Sequence, residues 1–232
     1  QKGVQIKNNA TYLKRLIESD KLDQATAGVV TSAFVQIAGS REIDPETSAA
    51  ELFLWIAEDY YAGRSSLILD PEASHNLRWM VDGRAKLSYQ RIPTAVYGDV
   101  MAMQAARRSL QLNPDLSNAL SLWLAASFRR ENNLTKDDTD PSYGGEMRSP
   151  AFYAMTAGPN HTKPVLARAV TDGDAELALD AVRALAATAG TDSLTTEAGA
   201  VLRALNYPDA RVRYETAFAV AKANPSETFE GA

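Results

Sequence analysis

The sequence predicts an all-α protein, with antiparallel helical hairpins stacked as an α-solenoid. Three observations predict it. Apolar residues recur at helical spacing along most of the chain, punctuated by short turns rich in Asp, Pro and Gly. A segment of the last third returns after 35 residues, as stacked supersecondary units do. A Leu112-Asn113-Pro114 turn joins two further helical patterns. The 232 residues with 45% hydrophobic content suffice for one large or two small cores, and 13 glycines and 10 prolines argue against wholesale disorder.

The elements follow in order. Tyr12, Leu13, Leu16 and Ile17 form one face of a short helix over 10–18. Ser19 and Asp20 are candidate caps for a second helix from Leu22 to Ile37, with Gly39 as its stop. Asp44-Pro45-Glu46 reads as a start signal, with Asp44 as N-cap and Pro45 at the first helical position, for a helix to Tyr61. Asp70-Pro71-Glu72 repeats that signal, and Leu77, Met80 and Val81 predict a helix ending near Gly83. A long helix follows Pro93 and runs to Leu112. Residues 132–163 are polar and turn-rich, a linker or long loop with a short helix at 150–156.

In the last third, a shift of 35 residues places Leu166 on Val201, Ala169 on Ala204, Asp174 on Asp209, Leu177 on Val212, Ala184 on Ala219 and Leu185 on Val220. Each copy is a short helix, a tight turn and a longer Ala-rich helix, with the aspartate as its cap. The residues Asp209-Ala210-Arg211-Val212-Arg213, followed by Ala217, Ala219, Val220 and Ala221, resemble a HEAT repeat of the phycobilisome-lyase type. The resemblance covers about 164–224, and the first copy departs where Ala178 stands in the place of Arg213. It implies stacked helical hairpins in a right-handed superhelix, and no activity. A second resemblance covers about 95–131. Ala102, Ala106 and Ser109 before Leu112-Asn113-Pro114, with Ala119, Leu120, Trp123 and Leu124 after it, resemble the junction of two tetratricopeptide repeats. Ser127 departs where an aromatic is usual, and an ordinary α-hairpin can use the same turn. The chain thus divides into tetratricopeptide-like hairpins over 1–131, a polar linker over 132–163, and two HEAT-like repeats over 164–232. Two repeats are few for a solenoid, so the protein is expected to continue beyond Ala232.

The absence of cysteine excludes disulfides, thiolate nucleophiles and cysteine–zinc sites. A net charge of −5 without a Lys/Arg block argues against nucleic acid as a partner. No apolar run reaches the length of a membrane span. The compartment stays open between cytoplasmic and extracytoplasmic. The only histidines, His75 and His161, lie far apart in the sequence, and no metal-binding, phosphate-loop or nucleophile-elbow motif is present. No catalytic residue, metal site or cofactor is therefore assigned. Asp137, Asp138 and Asp140 form an acidic loop without the glycine and glutamate of an EF-hand.

Aromatic and arginine residues remain as candidate binding anchors: Trp55, Tyr61, Arg64, Arg78, Trp79 and Tyr97. Tryptophan, tyrosine and arginine dominate interface energetics, and arginine suits acidic or peptide ligands. The expected function is protein–protein interaction or scaffolding without catalysis, the partner being a protein or peptide. The alternative is a helical enzyme domain, a carboxylate-based hydrolase, with a repeat appendage. Converging carboxylates in a groove would favour the enzyme. A groove of aromatic and polar residues would favour the binding module.

Overall fold

The computed structural model describes residues 2–19, 21–40, 42–143, 147–188, 194 and 199–223, with side chains from residue 9 onward. Asp20, the glycine pair 144–145 and the last nine residues lie outside them. The fold is mostly helical, with neighbouring helices packed together and one two-stranded sheet. The chain forms two compact units, Gln1–Ala119 and Leu120–Ala232.

The first unit opens with α1 (Lys2–Ile17) and α2 (Gln24–Gly39), so the first helix starts earlier than its apolar face suggests. Helix α2 is capped by Asp23 and not by Ser19. Asp23 accepts the Thr26 N–H at 3.0 Å and the Thr26 hydroxyl at 2.6 Å. On α2, Phe34 is buried while Val29 is 71% exposed. Phe34 and Ala38 join Ala10, Ile43 and Leu52 in a core cluster.

Helix α3 (Ala49–Tyr61) begins four residues later than Asp44-Pro45 suggests. Asp44 instead closes a turn, its carboxylate accepting the Glu46 N–H at 2.9 Å and its carbonyl the Thr47 N–H. The helix is nucleated at Ser48 by a reciprocal capping box. Ser48 Oγ accepts the Glu51 N–H at 3.2 Å, and Glu51 accepts the Ser48 N–H at 2.9 Å and its hydroxyl at 2.7 Å. These bonds, the Ser48 hydroxyl first, hold the Glu51 carboxyl below its ordinary range. A carboxyl depressed in the folded state stabilises above its unfolded pKa, about 4.3, and loses that contribution as pH falls through the folded value. Ser48→Ala is expected to cost about 1 kcal/mol near neutral pH. The difference from wild type should shrink in melting curves taken well below roughly pH 4.3. A gap that stays constant down to acid pH would rule out the Glu51 half of the box.

The segment after Asp70 is not a helix. Residues His75–Val81 (β1) and Leu87–Pro93 (β2) form an antiparallel hairpin, registered from His75 opposite Pro93 to Val81 opposite Leu87. The apolar residues that fit a helical period also fit a period of two, through Leu77, Trp79 and Val81, then Leu87 and Tyr89. Gly83 lies in the turn and does not stop a helix. Asp82 accepts the Arg84 and Lys86 N–H groups at 2.9 Å each, and Ala85 takes φ 59°. The hairpin's inner face carries buried Asn76 and Ile92. Asn76 donates to the Asp70 carbonyl and to Thr94 Oγ1 and accepts the Asp70 N–H, fixing the strand to the preceding turn.

Helix α4 (Thr94–Leu112) follows Pro93 as expected and packs on α3. Gly98 permits the close approach, since a Cβ there would lie 3.0 Å from the Tyr60 carbonyl oxygen. Ser109 donates a buried hydrogen bond of 2.8 Å to the Ala50 carbonyl. After α4, Asn113 accepts the Asp115 N–H in a turn and α5 (Ser117–Asn133) begins.

In the second unit, the loop after α5 is pinned by Asp140, whose carboxylate pairs with Arg130 of α5. Helices α6 (Pro150–Ala157), α7 (Pro159–Asp172), α8 (Ala175–Thr188), α9 (Gly199–Leu205) and α10 (Ala210–Ala223) follow. Gly158, at φ 82°, separates α6 from α7. Helices α8 and α10 each span 14 residues, and a shift of 35 residues superposes their bounds. One face is buried in both: Leu177 and Val212 are at 0%, Ala184 and Ala219 at 3% and 4%. The adjoining face differs: Ala178, Leu179 and Val182 are buried on α8, where Arg213, Tyr214 and Ala217 are exposed on α10. Asp174 accepts the Leu177 N–H at 3.0 Å and Asp209 the Arg211 N–H at 2.7 Å. Helix α7 packs on α8 and α9, and α10 packs on α8 and α9. Arg183 bridges α8 to Glu215 of α10 at 3.0 Å.

Candidate functional site

A half-open groove of about 320 Å³ runs between α3 and α4 in the first unit, with Tyr12 of α1 and Arg78 of β1 at its walls. Phe53, Ile56 and Tyr60 come from one face of α3. Met101, Gln104, Ala105 and Arg108 come from one face of α4, flanked by Arg107 and Gln111. The i, i+3, i+4, i+7 spacing of a helix brings each set to a single side. Tyr12 is 54% exposed and meets Phe53 edge-on, the ring centroids 5.4 Å apart.

Among the described residues three guanidinium groups line this groove and no carboxylate does. Arg78 is half-buried, yet its acceptors are neutral: Nε donates to Gln104 Oε1 at 2.9 Å and Nη1 to Gln90 Oε1 at 2.7 Å. Arg108 donates to Gln111 Oε1 at 2.9 Å. Among the described residues, none of Arg78, Arg107 and Arg108 is paired with a carboxylate. Gln104 Nε2 is buried without an acceptor among the described residues. The positive field of Arg78 reaches Tyr97, whose phenol burial pushes up and Arg78 pulls partly back. In a chain of net charge −5, the groove is a local cationic, aromatic-walled surface. It can hold a carboxylate by charge-assisted, bidentate hydrogen bonds and an apolar group against Tyr12, Phe53 and Tyr60.

Of the six residues singled out in the sequence, only Arg78 lines the groove. Tyr61 and Tyr97 are buried, at 3% and 7% exposure; they are core residues and not surface anchors, because their helix faces turn into the α3–α4 contact. Arg64 lies beyond α3, 3.0 Å from Asp59. Trp55 stands half-exposed on α3, outside the groove. Trp79, expected on a helix, projects from the hairpin's outer face against Tyr89, with centroids 5.3 Å apart. The groove's other cations, Arg107 and Arg108, were not singled out. Their signal is the polar stripe Gln104, Arg108 and Gln111 on an otherwise alanine-rich helix.

The remaining candidates fall elsewhere. His75 Nδ1 lies 3.0 Å from Ser74 Oγ, and His161 sits in the first turn of α7. In the second unit, burial pushes the Asp180 carboxyl up, while the hydrogen bond from Asn132 at 2.8 Å offsets part of the rise. No group of three His, Cys, Asp or Glu able to hold a metal occurs among the described residues. No helix is long and apolar enough to cross a membrane among the described residues. No protein-family model, curated protein or solved structure matches this chain.

Proposed function

We propose that this chain is a binding or scaffolding module whose groove between α3 and α4 receives an acidic segment of a protein partner. The observation that carries the reading is the convergence of Arg78, Arg107 and Arg108 on an aromatic-walled groove with no acidic lining residue. A carboxylate entering there meets guanidinium donors held by neutral amides, so no internal ion pair has to be broken. Among the described residues the same lining lacks the carboxylate pair that a glycosidase-type, carboxylate-based hydrolase uses, so it favours binding over that alternative.

The stacked-repeat architecture belongs to the same proposal. The matching bounds of α8 and α10, the face that both bury through Leu177 and Val212, and their aspartate caps support a HEAT-like pair of hairpins in the second unit. The turn at Asn113 that ends α4 supports a tetratricopeptide-like junction. Rigid stacked hairpins of this type present extended surfaces suited to partner binding.

The test is an array of linear peptides of graded net charge, probed with the full chain at low and high salt. Acidic peptides should be retained, with salt weakening the retention. The Arg107→Glu/Arg108→Glu double variant should bind them at least about tenfold less well, since each lost charge-assisted bond is worth roughly 1.5–3 kcal/mol. Its melting temperature should stay near wild type, because Arg107 is exposed and Arg108 only half-buried. Retention independent of peptide charge, or indifferent to the double charge reversal, would sink the proposal.

A further inference from the structure

The hairpin offers a second surface, built differently from the groove. Register fixes which backbone groups are free. Asp82 N–H donates to the Lys86 carbonyl at 3.1 Å, and Thr94 N–H to the Ser74 carbonyl at 3.0 Å. Both pairs continue the β1–β2 register at its two ends. Opposed pairs in an antiparallel ladder alternate between hydrogen-bonded and non-bonded. The bonded pairs are therefore Asn76–Ile92, Arg78–Gln90 and Met80–Ser88. The non-bonded ones are Leu77–Arg91, Trp79–Tyr89 and Val81–Leu87. Pro93, which has no N–H to give, falls at a non-bonded position as this parity requires. The N–H and C=O groups of Leu87, Tyr89 and Arg91 thus point away from β1. Among the described residues no backbone bond from another element reaches them.

The side chains of this edge are exposed too. Leu87 and Tyr89 are 58% and 56% exposed, beside Trp79 at 55% and Val81 at 66%. Arg84, Lys86 and Arg91 are exposed around them. The single acid within the hairpin, Asp82, already accepts two turn N–H groups with Oδ1. An open edge with apolar and cationic side chains is a template for strand addition.

We propose that the outer edge of β2 adds a strand from a protein partner, an extended segment in which acidic and apolar residues alternate. The charge pattern selects this occupant. A second copy of the chain would bring Arg84, Lys86 and Arg91 against their own kind, and like charges across strands repel. A lipid surface would accept the aromatics and cations, but the edge N–H and C=O groups would have no partner in hydrocarbon. An acidic strand satisfies both the backbone edge and the cations. The inference rests on the binding-module reading but uses a site separate from the groove arginines.

The test selects peptides from a displayed library of random linear sequences against the full chain, then binds each to variants. Selected peptides should alternate Asp or Glu with apolar residues. Their binding should slow amide exchange at Leu87, Tyr89 and Arg91. Leu87→Pro, which removes an outward N–H and no ladder bond, should weaken binding about tenfold more than Leu87→Ala, which keeps it. Arg84→Glu/Lys86→Glu, which leaves the backbone intact, should weaken it about tenfold as well. The groove double variant Arg107→Glu/Arg108→Glu should leave these peptides bound, so the two sites fail or succeed separately. Four results would each overturn the proposal: selection of no acidic alternating peptide; wild-type binding by both Leu87→Pro and Arg84→Glu/Lys86→Glu; exchange protection confined to the groove; or flotation of the chain with phosphatidylserine vesicles through this hairpin.

Discussion

Replacing Arg130 by methionine is expected to destabilise the second unit by about 3–5 kcal/mol, because it strands a buried carboxylate. The Asp140 side chain is fully buried and Arg130 is 13% exposed. Arg130 Nε donates to one carboxylate oxygen, and the Ser142 N–H donates to the other at 2.9 Å together with the Ser142 hydroxyl. The guanidinium also lies 5.1 Å over the Tyr143 ring. Among the described residues, removing it leaves Asp140 with neutral donors from Ser142 alone, where solvent cannot compensate. Removing both charges in Arg130→Met/Asp140→Leu should recover much of the loss, since the pair's own attraction is largely spent on desolvation. Urea unfolding of the single and double variants measures this. A single variant within about 1 kcal/mol of wild type would show that the pair does not hold the loop.

Leu177→Ala is expected to cost about 2–5 kcal/mol, the range for a leucine deleted from a close-packed core. Leu177 is fully buried in α8, and its counterpart 35 residues on, Val212 in α10, is fully buried as well. Val212→Ala should therefore destabilise in the same sense but less, in proportion to the smaller volume removed. Val29→Ala, at a position 71% exposed, should stay within about 0.5 kcal/mol. If Leu177→Ala proves no worse than Val29→Ala, the packing between these helices does not stabilise the unit.

The long helices were legible because their apolar residues had no competing period. The stretch after Pro93, the short helix at 150–156 and the paired helices near 175–188 and 210–223 all lie where the pattern puts them. The helix expected after Asp70 failed for an identifiable reason. Leu77, Met80 and Val81 satisfy the helical period, while Leu77, Trp79 and Val81 satisfy the strand period equally well. Asp82-Gly83, a turn dipeptide between two such runs, was the signal for a hairpin. Asx-Pro pairs misled in a second way. Asp44, Asp70, Asn113 and Asp140 each precede proline, and each accepts the N–H two residues on. The motif closes a turn, and at Asp44 that turn displaces the helix start to Ser48.

The residues that line the groove were less legible. Exposure depends on which face of a helix meets a neighbour, and that is a property of the packing. Tyr61 and Tyr97 look like anchors by type and are core by position, while Arg107 and Arg108 look like solvated charge and line the groove. Asp140 shows the same division: its sequence places it in an acidic surface loop, and only the approach of Arg130 makes it a buried, paired carboxylate.

By itself the sequence determined that this protein is helical, where most helices lie and that its last third repeats, because periodicity and caps are local and act within a few residues. The tertiary structure decided the burial of the tyrosines and of Asp140, and the meeting of Arg78 with Arg107 and Arg108. Those outcomes depend on groups distant in the chain, whose burial and charge compensation exist only once the helices have packed.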